Sequence, residues 1–108
     1  MKPVLESSFD FSIRAMELIK YLEEEKKPFP LYERFLTCAM GMGIYLRLAQ
    51  TTGRKSAGDS RQALLYAVEA EYLLEIMAKT GYLQEKQSHP ILDDCRALKA
   101  AIAELFQE

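Results

Sequence analysis

Residues 35–50, Phe-Leu-Thr-Cys-Ala-Met-Gly-Met-Gly-Ile-Tyr-Leu-Arg-Leu-Ala-Gln, carry a single charge, Arg47. At the helical period, about 100° per residue, their apolar groups point in nearly every direction. Phe35, Met42 and Leu46 fall on one side, Ile44 and Leu48 opposite, and Leu36 and Tyr45 between. A helix that is apolar all round must be covered by other helices, another subunit or lipid. Lipid is the poorest fit: the run is shorter than the ~20 residues a span needs and contains an arginine and two glycines. It reads as the buried centre of a helical assembly.

The flanking pattern predicts three more helices. Over 8–27, Phe9, Ile13, Met16 and Ile19 form one stripe and Phe11, Ala15, Leu18 and Leu22 the next, with Ser7 or Ser8 as cap and Asp10 at the positive end of the dipole. Pro28-Phe29-Pro30 ends that helix, and Pro30 can open the second, over 31–52. Gly53 then suits a C-cap, and Asp59 or Ser60 an N-cap for a third helix over 60–80. That helix places Ala63, Ala67, Ala70, Leu74 and Met77 on one side and Leu65, Tyr72 and Ile76 elsewhere. Gly81 follows as its C-cap. Ser88 or His89 is the expected cap, and Pro90 the first turn, of a fourth helix over 90–106. There Ile91, Cys95, Leu98, Ile102, Leu105 and Phe106 face Asp93, Arg96, Ala100 and Glu104 across the axis. Four helices on short connections predict one all-α domain over 1–108, an up-down-up-down four-helix bundle.

Length and composition fit this. The chain has 108 residues, 49% hydrophobic and 28% charged, with net charge −2 and a pI near 5.5. That balance argues against a protein that coats nucleic acid indiscriminately. The first residues, Met-Lys-Pro-Val-Leu-Glu, show no apolar core of a signal peptide. Cys38 and Cys95 fall in helical patterns and read as buried thiols of a reducing cytoplasm, with an inter-helix disulfide left open.

Candidate chemistry is sparse. Gly41-Met42-Gly43 lacks the preceding strand and the rest of a phosphate loop; it reads as close helix packing. Glu71 and Glu75 lie four apart on one face, without a Glu-x-x-His partner for metal, and read as a contact for arginine from a neighbouring helix or subunit. His89 is the sole histidine. No nucleophile–base pair stands out, so the expectation is a non-enzyme without cofactor or metal. Positive charge collects at residues 47–61, where Arg47, Arg54, Lys55 and Arg61 meet Asp59 alone, a local balance of +3. A solvated loop and an anion or nucleic-acid contact both fit.

The surplus of apolar surface on the second and third helices calls for self-association. Phe35, Ile44, Leu48, Tyr72 and Ile76 are the interface candidates.

Several short motifs carry a family resemblance: Phe29-Pro30-x-x-Glu33-Arg34-Phe35, the long apolar second helix, Gly53-Arg54-Lys55-Ser56, and Gly81-Tyr82-Leu83-x-Glu85-Lys86-Gln87 leading to Leu92-Asp93. Together they resemble the four-helix-bundle superfamily with two branches. One holds the accessory variability determinant (Avd) proteins of diversity-generating retroelements, the other the proteins encoded within 23S rRNA intervening sequences. The resemblance implies a ring-like homopentamer. On the first branch it implies a non-enzymatic accessory of a reverse transcriptase and template RNA in mutagenic retrohoming. Arg34, Arg47, Arg54, Lys55 and Arg61 would then be the nucleic-acid contacts. On the second branch it implies a structural or scaffolding bundle.

Overall fold

Each periodic stretch becomes a helix in the computed structural model, which describes residues 3–52 and 57–105. The helices are α1 (Val4–Glu24), α2 (Tyr32–Thr51), α3 (Ala57–Lys79) and α4 (Glu85–Glu104). At 1.5 Å per residue each is about 30 Å long. Connections of five to seven residues cannot reach back over that length, so consecutive helices run antiparallel. The cross-helix contacts agree. On α1 and α2, Ser12 meets Ala39 while the earlier Ser8 meets the later Gly43. On α1 and α4, Arg14 meets Asp94 while Tyr21 meets Gln87.

The packing is a square. α1 touches α2 and α4, α3 touches α2 and α4, and among the described residues neither diagonal pair brings Cα atoms within 8 Å. The core is built from rows alternating three and four residues apart, the spacing of an inward helical seam. On α3 the row is Ser60, Ala63, Ala67, Ala70, Leu74 and Met77; on α4 it is Ser88, Ile91, Cys95, Leu98 and Ile102. α1 contributes Phe11, Ala15, Ile19 and Leu22, and α2 contributes Phe35, Cys38, Ala39, Met42 and Leu46. One end is closed by the first and third connections. There Phe29 sets its ring edge-on to Tyr82, centroids 5.3 Å apart, and Leu83 is buried beside them.

The helix starts depart from the sequence reading. α1 begins at Val4 rather than near Ser8, because Val4 and Leu5 already pack on the core. Ser8 is not a cap: buried inside the helix, its hydroxyl donates back to the Leu5 carbonyl at 2.9 Å. Asp59 and Ser60 likewise lie within α3, Ser60 opening its buried row. α4 begins at Glu85, five residues before Pro90. Gln87 supplies the cap, its Oε1 accepting from the Gln84 N–H at 2.8 Å while its Nε2 donates to the Tyr21 hydroxyl at 2.9 Å. Ser88 and His89 are therefore helix-interior, and Pro90 is carried inside the helix. Pro30 lies two residues before α2.

The stops of α1 and α3 are Schellman turns. After α3, Gly81 takes φ +89° and the Tyr82 N–H reaches back to the Met77 carbonyl at 2.9 Å, the glycine cap foreseen from sequence. After α1 the same turn is made by Lys26 at φ 58°, with the Lys27 N–H donating to the Leu22 carbonyl. The Gly53 cap lies outside the described residues, as does Phe106.

Candidate functional site

The four outer faces of the bundle differ in chemistry. Two involve α4, and cross-helix charge pairs hold them together. Arg14 pairs with Asp94 on the α1/α4 face. On the α3/α4 face the Arg96 guanidinium donates to Glu71 at 2.8 Å and to Glu75 at 2.9 Å, and the Lys99 ammonium donates to Glu71 at 2.6 Å. These hydrogen bonds, from Lys99 first and Arg96 second, hold the Glu71 carboxyl below its ordinary value. Glu71 and Glu75 thus meet an arginine of a neighbouring helix. His89 faces Asp93 at 3.1 Å on the exposed side of α4. Between Glu85 and Glu104 no large apolar side chain is exposed.

The two faces that involve α2 expose large apolar side chains. On α1, Phe9, Ile13 and Met16 are exposed and share one stripe. That stripe leans toward α2, because Arg47 lies over the Phe9 ring, 5.7 Å from its centroid, whereas Arg14 and Tyr21 on the other flank reach α4. On α2, Ile44 and Leu48 project outward. On α3, Leu65 and Tyr72 do the same, Tyr72 being 64% exposed, while the exposed Val68 lies beside Glu71 and Glu75 on the flank toward α4. Beneath them the α2/α3 seam is close: Tyr45 and Tyr66 lie 6.0 Å apart, and Arg34 pairs with Glu69.

The five interface candidates from the sequence therefore divide. Ile44, Leu48 and Tyr72 lie on this outer surface. Ile76 is partly buried and packs against the core. Phe35 is fully buried within its own bundle, because its side of α2 points to the centre of the square; it is a core residue, not a surface one.

The basic candidates divide too. Arg47 near the end of α2 and Arg61 near the start of α3 share one end of the bundle. Arg34 lies 13 residues before Arg47 on the same helix, about 20 Å away, and its charge is already met by Glu69. Arg54 and Lys55 lie outside the described residues.

Both thiols are free and buried. Burial is the main reason each is hard to ionise: it pushes Cys38 up to about 11 and Cys95 up to about 12. A disulfide needs Cα atoms about 4.4–6.8 Å apart. Cys38 on α2 and Cys95 on α4 sit on a diagonal beyond 8 Å, so the bridge left open by the sequence is closed off by the packing. Among the described residues no three acidic, histidine or cysteine side chains gather to hold a metal, and no helix is long and apolar enough to cross a membrane.

No family model matches the sequence, and no curated protein matches it. Among solved structures, a protein of unknown function from the S23 ribosomal protein family, from Bacteroides thetaiotaomicron VPI-5482, is similar with a TM-score of 0.88. The two are 26% identical, over 98% of this chain and 100% of that one. The bundle has the S23-family fold. The likeness bears on the intervening-sequence branch of the resemblance, the branch that carries the S23 name.

Proposed function

We propose that this chain is a self-associating, non-enzymatic scaffold bundle of the intervening-sequence type. The observation that carries the reading is the exposed apolar surface of α1, α2 and α3. Isolated subunits seldom leave contiguous surface of this kind bare. Re-burying a half-exposed Leu, Ile or Phe contributes about 1 kcal/mol, while association costs at least ~4 kcal/mol in lost freedom. A contact re-buries such side chains on both copies, so the exposed residues of α1, α2 and α3 together exceed that minimum. Light scattering of the full chain at micromolar concentration tests this. The expected mass is 12.4 kDa multiplied by two or a larger whole number, and a persistent single-chain mass would overturn the proposal.

A second reading, an Avd-type accessory, draws support from Arg47 and Arg61 standing at one end of the bundle, on either side of the segment that holds Arg54 and Lys55. On this reading the chain binds reverse transcriptase or template RNA, and RNA binding falls steeply as salt rises. Absence of binding to either partner at low salt would rule it out.

A further inference from the structure

We infer that the α1/α2 face pairs with the same face of a second copy about a two-fold axis, α1 lying antiparallel on α1, so that association closes at two chains. The inference rests on the self-association proposed above and names the surface and its symmetry.

The face carries two stripes with the same order of chemistry. On α1, Glu6, Phe9, Ile13, Met16 and Lys20 follow one another at steps of three, four, three and four residues, and all five are exposed. That is the spacing of a helix–helix seam, here on the side of α1 that its own bundle leaves open. On α2, Glu33, Leu36, Met40, Ile44 and Arg47 follow at three, four, four and three, exposed at both ends and partly buried at Leu36 and Met40. Their flank is the one turned to α1, where Arg47 lies over the Phe9 ring and Gly43 stands against Ser8. Each stripe thus has an acid at its N-terminal end, a base at its C-terminal end and apolar groups between. Because α1 and α2 run antiparallel, the four charges alternate in sign around the face. Glu6 and Arg47 stand at one end of the bundle, Lys20 and Glu33 at the other. Arg34 lies on the other flank of α2, where Glu69 holds it, and takes no part. Asp10 and Glu17 lie further round α1, on the side away from α2.

A stripe with acid at one end and base at the other is complementary to itself when reversed. About a dyad at Ile13, Glu6 meets Lys20 of the second copy and Ile13 meets Ile13, with Phe9 and Met16 to either side. The Ser12–Ala39 hydrogen bond sets Met40 beside Ile13, so the same dyad reverses α2 about Met40 and lays Glu33 against Arg47 of the second copy. All four charges of each face then find an opposite, and Phe9, Ile13, Met16 and Ile44 of both copies are covered together. Laying α1 parallel on α1 would instead set Glu6 on Glu6 and Lys20 on Lys20, so charge fixes the direction. A contact that maps a surface onto itself closes at two copies, whereas unlike surfaces build rings or filaments.

Charge reversal and its rescue test this, with light scattering on dilution as the readout and circular dichroism as the check on fold. Glu6→Lys and Lys20→Glu each set like charges together twice in the pair and weaken it about tenfold or more. The double variant, Glu6→Lys with Lys20→Glu, restores opposite charges and the mass of two chains, and so does an equimolar mixture of the two single variants. If a reversal on α1 lowers helicity, Glu33→Lys and Arg47→Glu give the same test on α2. Single variants that fall apart without rescue by the double variant or the mixture would show that α1 does not lie on α1, for instance that it seats on α2 of the second copy, and would overturn the inference. Single variants that keep the wild-type mass, or a wild type larger than two chains, would overturn it while self-association stands. A wild type that is itself a single chain would instead remove the association on which the inference rests.

Discussion

α2 and α4 stand on opposite corners of the same square and each buries one row of side chains, yet their outer surfaces have little in common. α4 is a narrow-striped amphipathic helix. Its row from Ser88 to Ile102 is buried, and what remains outside is small or polar, among it His89, Pro90, Asp93, Asp94, Arg96, Ala97, Ala100 and Glu104. Its two seams are held by Arg14–Asp94 and by the Arg96, Lys99, Glu71 and Glu75 group. α2 buries Phe35, Met42 and Leu46 and still shows Ile44 and Leu48 to water. Besides one charge pair, Arg34–Glu69, its seams rely on small groups and rings: Ser12 donating to the Ala39 carbonyl at 3.0 Å, Gly43 against Ser8, and Tyr66 lying on Gly41. A single bundle satisfies a helix with one apolar stripe and leaves a helix with two unsatisfied. The α4 corner is finished by folding; the α2 corner is the one that the proposed self-association would complete.

The sharpest way to break this contrast is within α2 itself. Phe35→Ala removes a fully buried ring from the core and costs about 3–5 kcal/mol of folding stability. Ile44→Ser, nine residues on and 62% exposed, leaves the stability of the single chain within about 0.5 kcal/mol but lowers the mass of the assembly. Urea unfolding reads the first effect and light scattering the second. A large loss of single-chain stability in Ile44→Ser would mean that the outer side of α2 belongs to the core after all.

Much of this division was legible in the chain. Opposite placement of Phe35, Met42 and Leu46 against Ile44 and Leu48 follows from the helical period alone, as does the buried alanine row of α3. What the period cannot say is which of two apolar sides faces inward. Phe35 and Ile44 lie on one apolar helix and both read as interface residues from sequence; only the positions of α1 and α3 tell them apart. The helix starts were misread for a different reason. Ser and Asp are good caps in isolation, but Ser8 and Ser60 are small enough to sit in close-packed seams, and burial outweighs a cap worth about 1 kcal/mol. Pro90 marked a start that Gln84 and Gln87 had already made five residues earlier. Lys26 at φ 58° had no signal, since a lysine seldom takes the place of glycine there. The charge group of α3 and α4 was half visible: two carboxylates four apart announce a cation, but not that it comes from Arg96.

The two glycines of α2 sharpen the comparison at the next level, because they face different neighbours. A Cβ on Gly41 would lie 2.6 Å from the Tyr66 ring, whose centroid is 6.0 Å from that of Tyr45 with the two rings tilted by 35°. The close neighbour is thus a side chain rather than the backbone a glycine pair suggests. Alanine gains about 1 kcal/mol of helix propensity at either site. At Gly41 overpacking costs about 1–3 kcal/mol and outweighs that gain, since the ring must be pushed out of its seam. At Gly43 the nearest atom is Ser8 Oγ at 3.5 Å, an ordinary contact, so the gain survives. Gly41→Ala is expected to lose stability and Gly43→Ala to gain it, with a gap of about 2 kcal/mol between them in denaturant midpoints. Equal behaviour would mean that Tyr66 moves freely and that the α2/α3 seam is looser than the α1/α2 seam.

The smallest effect tests the α4 corner. Glu71 is the one carboxylate there with a side chain only 14% exposed, and it accepts from both Lys99 and Arg96. Glu71→Gln keeps the shape and removes the charge. Lys99 and Arg96 remain open to water, so the loss is modest, about 1 kcal/mol. Its pH dependence is the more telling measurement. Because the folded state holds Glu71 below its ordinary 4.5, the unfolded chain binds the proton first as acid is added. The stabilisation is therefore complete above that value and disappears as pH falls through the lower folded one. The difference between wild type and Glu71→Gln should be constant near neutrality and shrink toward zero as pH drops below about 4.5. A difference that grew on acidification, or held constant down to the acid unfolding limit, would show that packing of the Glu71 side chain rather than its charge joins α3 to α4.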